Sequence, residues 1–254
     1  MALMQNPPGV LVVMAHPDDE SMGCGGLILR HTRAGIPVNL ICATRGEAGW
    51  GGKPLGAKKE DLPQIRTAEL EAAATALAIS GVDLWDYPDG GVDKCDPQEI
   101  TQRIWEQITR LRPKVVVGWG PDGAYGHPDH IAVGASTDVA VTSMAEGDRP
   151  ALYHIAVDQQ AANFYREAAR LAGDGQPLPL VVKDHVDVTF ELDSDEVMMK
   201  LRAIDCHRSQ LEEWRIAIRD HPRLLQEGYG HEPYLAITSR APVLAANGLL
   251  GEFG

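Results

Sequence analysis

The chain has 254 residues, 44% of them hydrophobic, and carries 23 basic side chains against 36 acidic ones for a formal net charge of −13. That length and apolar fraction suffice for one sizeable core. So acidic a chain argues against nucleic-acid binding, which needs a basic surface, and against docking on an anionic membrane, which needs a polybasic patch.

The first two-thirds alternate strand and helix patterns. Val10 to Ala15 is a continuous apolar run, as expected of a strand buried on both faces. Gly25 to Ala34 reads as helix and Val38 to Ala43 as a second buried strand. A Gly-rich loop runs from Thr44 to about Pro63. A helix rich in Ala, Leu and Glu follows from about Gln64 to Ile79, then a short strand from Val82 to Tyr87. Pro97 to Leu111 is helical, with Ile100, Ile104, Ile108 and Leu111 at helical spacing and Pro97 in the first turn. Lys114 to Trp119 is another buried strand, and a helix begins near Pro128. From Ala151 the pattern weakens: Ala151 to Val157 and Val186 to Phe190 read as strands, Ser194 to about Asp220 as one long helix, and Glu232 to Ser239 as a last strand. Repeated strand–helix–strand units predict a mostly parallel sheet covered on both faces. No linker forces a second domain, so residues 1–254 are expected to form one domain, with a substrate-shaping region from about residue 151. The closing GGLLGEFG is expected to be loosely held, at least at its last residues.

No apolar stretch is long and unbroken enough to predict a transmembrane helix. The opening MALMQNPPG lacks the basic patch and apolar core of a secretory signal. Cys24, Cys42, Cys95 and Cys206 are scattered with no CxxC pair, which suggests neither a disulfide scaffold nor a cysteine zinc site. A cytoplasmic enzyme is the expectation.

Two segments carry chemistry. His16-Pro17-Asp18-Asp19-Glu20 directly follows the first strand. Adjacent carboxylates repel unless a cation sits beside them, and a metal ion would relieve that cost. His16 and Asp19 can converge on one ion, leaving Asp18 to face water. Gly126-His127-Pro128-Asp129-His130 follows the strand ending at Trp119. If Pro128 opens the helix, His127 lies at its entrance and His130 one turn inside, with Asp129 able to hold His127 by a hydrogen bond. A single HPD tripeptide is usually an ordinary turn. Two of them at strand exits, where ligands bind in open α/β sheets, point to a metal site with three protein ligands and an open position.

The pair AHPDDE and GHPDH resembles the LmbE/PIG-L family of zinc-dependent deacetylases. That family includes N-acetylglucosaminyl-phosphatidylinositol deacetylases and the deacetylases of mycothiol and bacillithiol synthesis. The resemblance extends to Thr44-Arg45-Gly46-Glu47, to Arg66 and Glu69, to Tyr87-Pro88-Asp89-Gly90 and to His207-Arg208-Ser209-Gln210, covering roughly residues 9 to 240. It implies a Rossmann-like three-layer α/β/α fold. It implies zinc held by His16, Asp19 and His130, with Asp18 as general base, His127 as electrophilic or acidic partner and Asp129 orienting His127. His and carboxylate ligands do not select zinc uniquely, so iron is an alternative metal. The implied reaction removes an acyl group, acetyl foremost, from the amide nitrogen of an amino sugar. The substrate is an N-acetylated amino sugar or its conjugate, and relatives often form homo-oligomers.

Other residues read two ways. Glu47, Arg66 and Asp89 can grip sugar hydroxyls or form surface charge and internal ion pairs. Tyr125 can donate to a developing oxyanion or simply turn the chain. Trp50 can stack on a sugar or pack its loop. Gly23-Cys24-Gly25-Gly26 lacks the spacing of a phosphate loop and fits close helix packing better. His207 reads as a supporting or merely packed residue, and His31, His154, His185, His221 and His231 as structural or exposed. Two rival functions stay open at this point: a phosphoesterase, which needs more bridging carboxylates than the motifs supply, and a non-catalytic sugar-binding module, which has no use for Asp18.

Overall fold

The computed structural model of the chain describes residues 9–49, 58–173, 179–238 and 248–250. Seven strands, Val10–Met14 (β1), Val38–Thr44 (β2), Gly81–Tyr87 (β3), Val115–Trp119 (β4), Ala151–Ile155 (β5), Val188–Glu191 (β6) and His231–Ala236 (β7), form one sheet in the order β3-β2-β1-β4-β5-β7-β6. The first five run parallel, and β7 lies antiparallel between β5 and β6. Strand order reverses at β1, whose two neighbours are β2 and β4. The carboxyl ends of β1 and β4 therefore flank a switch point, the position at which such sheets bind ligands. Both HPD segments leave from these two strands.

β1 is buried along its whole length because its faces meet different helix layers. Leu11 and Val13 pack with Val116 of β4 against Ile100, Ile104 and Ile108 of helix Pro97–Leu111 (α3) and Val133 and Val141 of helix Pro128–Thr142 (α5). Val10, Val12 and Met14 pack on the other face against Leu27 and Ile28 of helix Asp19–Arg33 (α1) and Leu70 and Ala73 of helix Leu62–Ala76 (α2). That is the three-layer arrangement expected. α3 starts as its sequence predicts: Pro97 occupies the first turn and the Asp96 carboxylate accepts from the Gln98 amide.

Helix α1 departs from expectation by starting at Asp19, six residues before Gly25. It breaks at Cys24, whose φ/ψ of −148°/22° is not helical. The segment after the break is capped from afar, since the Glu232 carboxylate accepts from the amides of Gly26 (2.7 Å) and Leu27 (2.9 Å). A Cβ on Gly26 would lie 2.4 Å from the Leu192 side chain, so close packing does explain this glycine.

The long helix expected over Ser194 to Asp220 is two, Ser194–Ile204 and Arg208–Ile218, separated at Asp205-Cys206-His207. The break turns His207 fully inward. Helices Gln159–Ala172 (α6) and Pro222–Tyr229 were not anticipated. The chain beyond residue 151 supplies β5, β6 and β7 to the same sheet. Near the end, the Leu250 amide donates to the buried His31 imidazole (3.1 Å), so the chain is held at that point. Trp50 and residues 51–57 of its Gly-rich loop lie outside the described residues. Among the described residues no helix is long and apolar enough to cross a membrane.

Candidate active site

Asp18 ends the loop after β1 with φ 111°, a left-handed conformation that ordinary side chains rarely adopt. This turn throws Asp19 back toward the strand. The Asp19 carboxylate accepts from the amides of His16 (2.9 Å) and Ala15 (3.2 Å), which fixes its orientation. From β4, the irregular turn Gly123–Gly126 (α4) leads to His127, the N-cap of α5, whose Nδ1 accepts from the Asp129 amide (3.2 Å). His130 sits one turn into α5, stacked on the Trp119 indole with ring centroids 4.1 Å apart.

Three side chains converge, Asp19 through both of its carboxylate oxygens. His16 Nδ1 lies 3.2 Å from His130 Nε2 and 3.6 Å from Asp19 Oδ2, and His130 Nε2 lies 3.4 Å from Asp19 Oδ1. Tetrahedral zinc with ligands at about 2.0–2.1 Å separates neighbouring ligand atoms by ~3.3 Å. Each imidazole is also oriented through its far nitrogen, as metal-binding histidines require. His130 Nδ1 donates to the Gly123 carbonyl (3.2 Å), and His16 Nε2 donates to Asp129 Oδ2 and Asp89 Oδ1, both at 3.1 Å. With the far nitrogens so engaged, the two converging nitrogens can serve as lone-pair donors once deprotonated, so the residues fit a metal ion.

Two groupings among the described residues, His16–His127–His130 and His16–Asp89–Asp129, offer single ligand atoms close enough together to hold an ion. In each of these groupings a donor atom is already engaged elsewhere. Asp129 already accepts from Gly90 N (2.7 Å) and Val92 N (3.0 Å) as well as from His16, and His127 Nδ1 is occupied by the Asp129 amide.

The charges make the same point. Asp18, Asp19, Glu20, Asp89 and Asp129 crowd one end of the sheet, with Arg66 as the nearby permanent cation. Burial opposes ionisation of His16, yet Asp129, Asp19 and Asp89 together hold its pKa well above that of a free imidazole. Burial raises Asp18 to about 6 against the pull of Arg66, with Asp19 adding to the rise. Burial lowers His127, and the neighbouring His130 and His16 lower it further. With Nδ1 accepting from the Asp129 amide, the neutral form of His127 carries its proton on Nε2.

The structure corrects one expected contact and redistributes others. The Asp129 carboxylate does not reach for His127; it orients His16, and only the Asp129 amide touches His127. Arg66 is 4% exposed and its guanidinium donates to Gly46 O, Pro17 O and Asp18 Oδ2. A Cβ on Gly46, whose φ is +69°, would sit 2.3 Å from that guanidinium. So Arg66 is committed to the loop and to Asp18, with little of its fork left for a sugar hydroxyl. Asp89 spends one oxygen on His16 and the other on Ala48 N (2.8 Å), while Glu47 accepts from Asp89 N (2.8 Å). Tyr125 stands edge-on to His127 and His130, and burial raises its phenol.

Sequence reading missed Glu20. It is fully buried, accepts from the Asp18 amide (3.0 Å) and from Ser21, and meets His207 Nε2 at 2.7 Å. Its signal was present as a third consecutive carboxylate. Of the other histidines, His31, His154 and His231 are buried and hydrogen-bonded, and the His185 side chain is 81% exposed.

Beside Asp18, Asp19 and His130 opens a cavity of about 240 Å³. A larger crevice of about 390 Å³ lies at the opposite, amino-terminal end of the strands and is lined by no His, Asp or Glu.

Fold and site together define a class: an α/β domain with a His/Asp cluster at the switch point of its sheet. The sequence profile of the family described as PIG-L, GlcNAc-PI de-N-acetylase, matches residues 11–141, and the chain belongs to this family. It is 34% identical to a 1D-myo-inositol 2-acetamido-2-deoxy-alpha-D-glucopyranoside deacetylase of Kineococcus radiotolerans, over 82% of this chain and 70% of that one. It is 33% identical to a probable N-acetyl-alpha-D-glucosaminyl L-malate deacetylase 2 of Bacillus anthracis, over 82% and 83% of the two chains. Among solved structures, the N,N'-diacetylchitobiose deacetylase of Pyrococcus horikoshii aligns with TM-score 0.61 at 21% identity, covering 93% of this chain and 87% of that one. The 4-carboxy-2-hydroxymuconate hydratase GalB of Pseudomonas putida KT2440 aligns with TM-score 0.64 at 20% identity, covering 92% and 98%. The fold alone therefore does not select a reaction.

Proposed function

We propose that this protein is a zinc-dependent N-deacylase that hydrolyses the acyl amide of an amino sugar or amino-sugar conjugate. The observation that carries the reading is the convergence of His16, Asp19 and His130 from two separate HPD segments, with the Asp18 carboxylate beside them. The similarity to two deacetylases whose names specify acetylated glucosamine conjugates supports the substrate class.

His16, Asp19 and His130 would hold the metal, which when bound lowers the pKa of water and stabilises negative charge on a carbonyl oxygen. Asp18, raised to about 6, is matched to taking a proton from water near neutral pH and giving it up again. Arg66 keeps that carboxylate in place. His127, neutral with its proton on Nε2, donates a hydrogen bond toward the developing oxyanion rather than a whole proton. Asp18 is then the group that returns the proton to the leaving amine. Water adds to the acyl carbon, the C–N bond breaks, and a carboxylate and an amine result. Tyr125 stands where it can add a second donor, and Glu47 and Asp89 lie on the flank where a sugar ring would sit. The region from residue 151 shapes the opposite flank. The thiols Cys24, Cys42, Cys95 and Cys206 are free, which suits a reducing, cytoplasmic setting.

The test is amine release from N-acetylglucosamine, its inositol and malate conjugates and a phosphate ester, using protein loaded with zinc or iron. Release of amine and acetate in equal amounts, with no phosphate, is the expected result. Phosphate release alone would transfer the site to another reaction class, and binding without turnover would make it a sugar-binding module.

A further inference from the structure

The cavity beside Asp18, Asp19 and His130 has a character that acetyl does not need. Its walls include Met22, Tyr125, Ile155, Tyr165, Leu180 and Tyr229. Most of this wall comes from β5, α6, the segment near residue 180 and the helix ending at Tyr229, none of which belongs to the HPD segments. Its volume is about 240 Å³. One water takes roughly 30 Å³ in the liquid, and a methyl or methylene group is of similar size.

The charged side chains at its far edge are already matched, whereas the buried Trp119 indole N–H in its wall has no partner. The Glu232 carboxylate accepts from Lys200 Nζ (2.6 Å), Gly26 N (2.7 Å), Leu27 N (2.9 Å) and the Tyr234 hydroxyl (2.9 Å). His231 is held between Asp158 (2.7 Å) and Glu191 (2.8 Å). Several sugar hydroxyls brought against these mostly apolar walls would lose more water contacts than the wall can replace, at about 1–3 kcal/mol for each group left unpaired. An apolar chain would lose nothing.

The two flanks of the site divide an amide between them. Glu47 and Asp89, on the loops after β2 and β3, form a polar flank and do not line the cavity. The cavity begins at Asp18, Asp19 and His130 and runs the other way, toward α6. An acylated amino sugar with its ring on the polar flank directs its acyl group into the cavity.

We infer that this cavity is an acyl-chain subsite that takes linear acyl groups of about four to eight carbons, so that the enzyme favours amides longer than acetyl. The inference rests on the deacylase reading. Hydrolysis is unchanged in balance: the amide C–N bond breaks, the oxygen of water joins the acyl carbon, its proton goes to nitrogen, and the product is the longer carboxylate.

The experiment is a chain-length series of N-acylglucosamines, acetyl through decanoyl, with the zinc-loaded full chain, reading amine release. Burial of a methylene is worth roughly fourfold, so kcat/KM for hexanoyl should exceed that for acetyl by a factor on the order of 10². Ala161→Leu on α6 and Leu180→Trp each fill the cavity from a different segment, and each should lower the hexanoyl-to-acetyl ratio at least tenfold. Thermal unfolding checks that the variants fold, and the wild-type ratio stands without them. A wild-type ratio at or below one, or a ratio unmoved in both folded variants, overturns the subsite and leaves deacetylation intact. Amine release from no member of the series overturns the deacylase reading and the subsite with it.

Discussion

Replacing Asp18 by glycine should make the metal-free protein more stable while nearly abolishing its activity. Asp18 holds φ 111°, and a non-glycine residue in such a region costs about 1–3 kcal/mol that glycine does not incur. Its carboxylate is raised from 3.8 to about 6, and at about 1.4 kcal/mol per unit this is a penalty of roughly 3 kcal/mol for carrying the charge at neutral pH. The greater freedom of glycine in the unfolded chain offsets roughly 0.5–1 kcal/mol of the gain. Arg66 keeps its bonds to Gly46 O and Pro17 O, so its charge stays partnered. A net gain of at least about 2 kcal/mol follows, or roughly 4–8 °C in Tm for a chain of this size. The charge part of that gain has a defined pH window. A carboxyl whose folded pKa is raised binds more protons folded than unfolded, so stability is lost as pH rises from about 4 to about 6. The advantage of Asp18→Gly should therefore be larger at pH 7.5 than at pH 4.5. Calorimetry of chelated protein at the two pH values reads it, while turnover of the zinc-loaded variant should fall ~10²–10⁴-fold with zinc stoichiometry intact. A variant that unfolds earlier than wild type at pH 7.5, or that no longer binds zinc, would refute the placing of Asp18 as a strained, non-ligating base.

Three further outcomes follow from the contacts. Asp129→Asn presents an amide where Gly90 and Val92 amides and His16 Nε2 all require an acceptor; zinc affinity in a competition titration should fall ~10–100-fold. His207→Gln removes the buried imidazole beside Glu20, which in turn accepts from the Asp18 amide. A displaced Asp18 should lower kcat by up to ~10²-fold with KM and zinc content unchanged, and a change in KM alone would mean that His207 acts elsewhere. His31 is lowered by burial and accepts from the Leu250 amide. Its folded pKa lies below the unfolded value of about 6.5, so its contribution is present above that pH and lost as pH falls through it. The stability lost by His31→Gln, measured by urea denaturation, should accordingly shrink between pH 7.5 and 5.5.

The parallel strands and α3 were legible because each repeats one signal. β1 and β4 are apolar throughout, as strands covered on both faces must be, and Ile100, Ile104 and Ile108 mark the buried stripe of α3. The meeting of His16, Asp19 and His130 was legible because both HPD segments stand at strand exits. What failed depends on distant partners. The first turns of α1 were hidden by Gly23, Gly25 and Gly26, and the break at Cys24 is capped by Glu232, 206 residues from Gly26. The break at His207 is set by its contact with Glu20, 187 residues away. The carboxylate of Asp129 was given to His127, its sequence neighbour, when its partner is His16, 113 residues distant. Helix α6 carries a buried face of Ala161, Ala162, Phe164, Ala168 and Ala169, where small residues weaken the periodic signal.

The most direct measurement is zinc-dependent turnover of an N-acylated glucosamine by the chelated and reconstituted protein, with His16→Ala alongside. One equivalent of zinc per chain should restore release of amine and carboxylate in equal amounts, and His16→Ala should neither hold that zinc nor regain activity. Full activity after chelation, or wild-type zinc affinity and turnover in His16→Ala, would contradict a single metal centre built on His16, Asp19 and His130.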